Sequence, residues 1–193
     1  MRDAPIEIRP VAGALGAEIS GVNLAAELSD ATTGAIRRAL LDHLVIFFRD
    51  QDLPPERFLA FARRFGTPIE YPFLKGLDGF PEIIAVSKLE TERVNFGGVW
   101  HSDTTYLEEP PMATLLVARE VPAVGGDTLF ANQYLACEAL SDGMRRLLAG
   151  LNGVSSSAKA DASRTREDRI RAAGNAEPRK VLAAEHPVIH THP

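Results

Sequence analysis

The chain has 193 residues, 45% hydrophobic and 24% charged, a length and balance that suit about one soluble globular domain with a sizeable core. Its 21 basic against 26 acidic residues leave a formal charge of −5, which gives no basic footprint for nucleic acid. The lone Cys137 excludes an internal disulfide, and neither a secretory h-region nor an apolar run longer than "LVIFF" points to export or a membrane span, so a cytoplasmic protein is expected.

The opening "IEIRPVAGALGAEISGVNL" alternates and carries glycines, as short strands joined by turns do. A helix is expected from Ser29 to His43, with Ser29 or Asp30 as cap and Ile36, Ala39, Leu40 and His43 at helical spacing. "LVIFFRD" reads as a buried strand. "PPERFLAFARRFG" reads as a second helix, entered through Pro54 and Pro55 and left at Gly66. Its Phe58, Phe61 and Phe65 share one side and read as core. Four strands are expected next, in "EIIAVSK", "WHSDTTY", "MATLLVARE" and "DTLFAN", separated by the turn-formers of "EEPPM" and "AVGGD". "NQYLACEALSDGMRRLLAGL" is helical with a break near Ser141. Residues 155–180 are polar and charged and read as a mobile loop or lid with a short helix near 164–173. "HPVIHTHP" alternates as a strand with no partner following it. The order of elements suggests an α+β fold with a jelly-roll core.

"WHSDTTY" holds the chemistry. His101 and Asp103, two apart on a strand, leave the same face and could grip one metal ion. Imidazole and carboxylate suit Fe(II) in the two-histidine, one-carboxylate arrangement that leaves three positions open, and no neighbouring cysteines suggest structural zinc. Taken alone, H-x-D is weak, since a single strand histidine is more often a hydrogen-bonded structural residue.

The surrounding text is more specific. "WHSDTTYLEEPPMATLLVAREVPAVGGDTLFAN" resembles the taurine dioxygenase (TauD/TfdA) family of Fe(II)- and 2-oxoglutarate-dependent oxygenases, which carries W-H-x-D-x-[ST], a proline pair, then G-G-D-T-x-[FW]. "RPVAGALGAEISGVNL", "HLVIFFRDQDLPPERFLAFARRFG" and "EHPVIHTHP" match further landmarks in the same order. The resemblance implies a double-stranded β-helix core with flanking helices over 1–193, His101 and Asp103 as two iron ligands, and Thr128 contacting the 2-oxoglutarate carboxylate. Read without it, Thr128 is a β-branched strand residue after a glycine turn. The implied reaction takes 2-oxoglutarate and O2 to succinate and CO2 while hydroxylating a small organic acid, such as an alkyl sulfonate or sulfate ester. Homo-oligomerisation is left open.

Three departures accompany the resemblance. Where the taurine enzymes bind sulfonate through the histidine of "HIHP", this chain has "PIEYPF" with Tyr71, a hydrogen-bond donor to the substrate or a half-buried packing residue. Around Gly97 a glycine replaces the family's asparagine. The family's distal W-D-N-R-x-x-x-H segment and the arginine after it have no counterpart, and His190 stands in place of an arginine. The chain is therefore expected to be a C-terminally shortened form lacking the third iron ligand and the last strands. His190 and His192 are a weak alternative source of metal ligands. A catalytically inactive remnant, a jelly-roll binding protein and a zinc hydrolase are the rival readings.

Overall fold

The computed structural model describes residues 6–88, 98–158 and 181–192, which divide into two compact units. One comprises Met1–Pro68 with Leu115–Ser141, the other Ile69–Thr114 with Asp142–Pro193. The region around Gly97 and the expected short helix at 164–173 lie outside the described residues.

In the first unit, β1 (Glu7–Pro10) pairs antiparallel with β2 (Ala17–Ser20), Glu7 opposite Ser20 and Pro10 opposite Ala17. The reversal between them needs Gly16, which sits at φ 97°, where a Cβ would meet Val11 Cγ2 at 2.8 Å. Helix α1 (Asp30–His43) follows, and the chain returns as β3 (Ile46–Phe47), parallel to β2 with Ala17 opposite Ile46. The cap of α1 is the expected one: Ser29 Oγ accepts from Thr32 N at 3.1 Å. Ile36 and Ala39 of α1 are buried, and Ile36 is fully enclosed.

The core gathers Ile19, Leu24, Ile36, Ala39, Leu53 and Phe61, with Phe58, Phe65, Leu115 and Val117 packed against it. The three phenylalanines of "PPERFLAFARRFG" thus serve the core, and Phe61 meets Phe65 edge-on at 5.1 Å. Helix α2 (Pro55–Ala62) is shorter than expected. Its exit tightens, because Arg64 N bonds to Phe61 O and Phe65 N to Ala62 O, three residues back rather than four. The strand expected in "LVIFFRD" shrinks to two residues for a related reason. Leu44 at φ 66° and Asp50 at φ 55° bend the backbone away at either end. α3 (Gln133–Glu138) closes this unit, capped by Asn132, whose Oδ1 accepts from Tyr134 N and Leu135 N.

The second unit contains α4 (Asp142–Leu148), β4 (Asn152–Ser156) and β5 (Ala183–Pro187). The break between α3 and α4 falls near Ser141, as the sequence implied. β4 and β5 pair antiparallel from Asn152 opposite Pro187 to Ser156 opposite Ala183. This corrects the expectation for the "HPVIHTHP" segment: its strand ends at Pro187 rather than beginning near it, and its partner precedes it in the chain.

The four strands expected in 82–88, 100–106, 112–120 and 127–132 form no ladder among the described residues. Alternation fixes which side chains could share a face, but a strand also needs a neighbouring backbone to bond with, and none of the described residues supplies one. Accordingly, Val86, Leu116, Val121 and Leu129 are exposed. No helix among the described residues is long and apolar enough to cross a membrane.

Candidate metal centre

His101 and Asp103 converge, although not for the reason their spacing suggested. They do not share a strand face; a turn opens at Asp103 and swings its carboxylate back toward the imidazole. His101 Nε2 lies 3.1 Å from Asp103 Oδ1, and both side chains are about half exposed. The next residue, Thr104, holds φ at 50°, and Leu107 N bonds to Thr104 O at 3.0 Å to close the turn.

Each group is held by one further bond. His101 Nδ1 is 2.6 Å from the Val99 carbonyl. A carbonyl can only accept, so Nδ1 carries the hydrogen and donates it. In the neutral ring, Nε2 then presents its lone pair, the form that ligates a metal. Asp103 Oδ2 accepts from Thr114 Oγ1 at 2.8 Å, which leaves Oδ1 turned toward His101. A lone pair and a carboxylate oxygen repel each other at this distance unless a positive charge lies between them. Either a proton on Nε2 or a metal cation satisfies the pair.

The spacing suits a metal. Two donor atoms on adjacent corners of an octahedron, each about 2.1 Å from the ion, lie about 3.0 Å apart. The residues present therefore fit two neighbouring ligands of one ion. Among the described residues no third histidine, cysteine, aspartate or glutamate joins them.

The terminal histidines are engaged in other ways. His192 Nε2 is 2.6 Å from Met112 O. His190 stacks on His186 with ring centres 6.4 Å apart and planes 3° from parallel. His186 Nε2 meets the carbonyls of Thr105 and Leu107 at 2.9 and 3.0 Å. These rings form no metal cluster among the described residues, so the alternative ligand source in His190 and His192 gains no support.

Tyr71 is half-buried and packs edge-on against Phe73 at 5.7 Å; Phe73 in turn meets Tyr106 at 5.5 Å. Tyr71 thus belongs to an aromatic row that ends three residues after Asp103. Thr128, in the other unit, is exposed and lies outside any helix or strand. It follows Gly125 and Gly126, whose φ values of 81° and 78° make them the tight turn the sequence implied. Sequence reasoning gave no role to Thr114 or His186. Thr114 was read only as a strand residue, and His186 only as part of a family landmark.

A histidine and an aspartate brought to 3.1 Å by a turn form a pair whose chemistry suits two ligands of one metal ion. Comparison with known proteins supplies the particular family. The family model described as "Taurine catabolism dioxygenase TauD, TfdA family" matches residues 7–193. The chain belongs to that family. It is 36% identical over 195 residues to an alpha-ketoglutarate-dependent sulfate ester dioxygenase of Pseudomonas putida, covering 97% of this chain and 63% of that protein. An alkylsulfatase of Acinetobacter baylyi is 32% identical over 203 residues, covering 97% and 60%. The crystal structure of a taurine dioxygenase from Burkholderia xenovorans superposes with a TM-score of 0.75 at 32% identity, over 97% of this chain and 59% of that one. The chain thus spans about three fifths of the length of these relatives.

Proposed function

We propose that this chain carries part of a 2-oxoglutarate-dependent, iron-using dioxygenase that hydroxylates a small anionic substrate, with sulfate esters and alkyl sulfonates as the leading class. The observation that carries the reading is the 3.1 Å approach of His101 Nε2 to Asp103 Oδ1, with Nδ1 already committed to a carbonyl. Support comes from the family and from the activities for which the sulfate ester dioxygenase and the alkylsulfatase are named. The fold proposed for the whole protein is one domain with a jelly-roll core, in a cytoplasmic enzyme.

Ferrous iron and 2-oxoglutarate, when bound, supply the oxidising power: O2 and 2-oxoglutarate become succinate, CO2 and one hydroxyl on the substrate. The chain's own residues orient and hold. His101 offers Nε2 because the Val99 carbonyl holds the hydrogen on Nδ1. Asp103 offers Oδ1 alone because Thr114 occupies Oδ2, which favours one-oxygen coordination and leaves open positions for co-substrates. Thr128 is assigned to hydrogen-bond the 2-oxoglutarate carboxylate through its hydroxyl. Tyr71 is assigned to donate to the substrate anion from its end of the aromatic row. For a sulfate ester, hydroxylation of the carbon bearing the ester oxygen gives a product that collapses to an aldehyde and sulfate.

Anaerobic addition of Fe(II) and 2-oxoglutarate, followed by O2, tests the reading. A visible charge-transfer band and then consumption of 2-oxoglutarate are expected, and both should vanish in Asp103→Ala. A flat spectrum would indicate a catalytically inactive remnant or a binding protein. Turnover with Zn(II) in the absence of O2 would indicate a hydrolase.

A further inference from the structure

We propose that His186, on β5, is a positioning residue for the Asp103 carboxylate; this rests on the metal-site reading of His101 and Asp103. Its Nε2 lies 2.9 Å from Thr105 O and 3.0 Å from Leu107 O. Both partners are carbonyls, so Nε2 carries a hydrogen and shares it between them. These two carbonyls belong to the turn that Asp103 opens.

That turn needs an external hold. Thr104 sits at φ 50°, a region a β-branched residue rarely adopts and keeps only where the surroundings enforce it. Its own hydroxyl does not enforce it, because Thr104 Oγ1 is buried without a hydrogen-bond partner among the described residues. The main-chain bond from Leu107 N to Thr104 O closes the turn, and His186 grips the carbonyls that follow on either side of Tyr106.

The grip is itself anchored. β5 is laddered to β4, and the His190 ring lies parallel to that of His186. Rigidity thus passes from the β4–β5 pair through one imidazole to the turn, and from the turn to the direction of the Asp103 carboxylate. Tyr106, whose ring continues the Phe73–Tyr71 row, lies between the two gripped carbonyls. The same residue therefore steadies both the metal carboxylate and the aromatic row assigned to the substrate.

Mn(II) binding, followed by electron paramagnetic resonance on the 193-residue chain, tests this. His186→Leu keeps the bulk and removes the donor; His186→Gln places an amide NH2 near the position of Nε2, with a hydrogen for each carbonyl. The expected result is Mn(II) affinity about tenfold weaker in His186→Leu, the low end for outer-shell partners of metal ligands, and within about twofold of wild type in His186→Gln. Wild-type affinity in His186→Leu, or equal losses in both variants, overturns the inference. Where His186→Leu does not fold, His186→Asn replaces it: its amide is too short to reach both carbonyls, so undiminished Mn(II) binding there also overturns it. Asp103→Asn separates the two levels. If it binds Mn(II) as wild type does, the metal-site reading fails; if it loses binding while the His186 variants keep it, only the positioning role fails.

Discussion

Replacing Thr114 by valine removes one hydroxyl and almost nothing else. The lost bond is the 2.8 Å donation to Asp103 Oδ2. Hydrogen bonds to a charged acceptor are worth about 1.5–3 kcal/mol, but water can replace a donor at a half-exposed carboxylate, so the lower end applies. About 1.4 kcal/mol is a factor of about ten, which agrees with the low end of the effect of outer-shell partners on metal affinity. Thr114→Val should therefore weaken Mn(II) binding about tenfold, and Thr114→Ser should restore most of it. Because Thr114 is exposed, the thermal midpoint by circular dichroism should barely move. Mn(II) titration of wild type, both Thr114 variants and Asp103→Asn under one buffer gives the answer. Binding in Thr114→Val within twofold of wild type, alongside a clear loss in Asp103→Asn, would refute the claim that Thr114 aims the carboxylate.

Two further outcomes follow from the same structure. Ile36→Ala, at a fully buried position of α1, should lower stability by about 2–5 kcal/mol, read as a shift in the urea midpoint with little change in slope. Ser29→Ala should cost about 1 kcal/mol by removing the cap on Thr32 N, and Ser29→Asp should recover it in the same urea experiment.

The helices were legible because their signals are local. Ser29 lies three residues from the amide it caps, and Ile36 and Ala39 reveal the buried side of α1 by spacing alone. Even so, α2 stops at Ala62 because its last turn tightens, an event that the run of phenylalanines does not encode. Strand pairing was far less legible. β5 is bonded to "NGVSS", a small polar stretch without the alternation of a half-buried strand, since the partner is chosen by a ladder between distant segments. The site shows both sides of this. His101 and Asp103 were found as a pair, yet a turn and not a pleat brings them together. Thr114 and His186 act through bonds to residues that no short window contains.

The group that settles which nitrogen His101 offers is a peptide oxygen, that of Val99. Val99 is 77% exposed, and its side chain takes no part in that contact. Identity at position 99 can therefore change freely while the ring keeps its hydrogen on the same nitrogen. What position 99 cannot tolerate is a rerouted main chain, so an insertion or deletion beside Trp100 would disarm the imidazole even with His101 itself untouched.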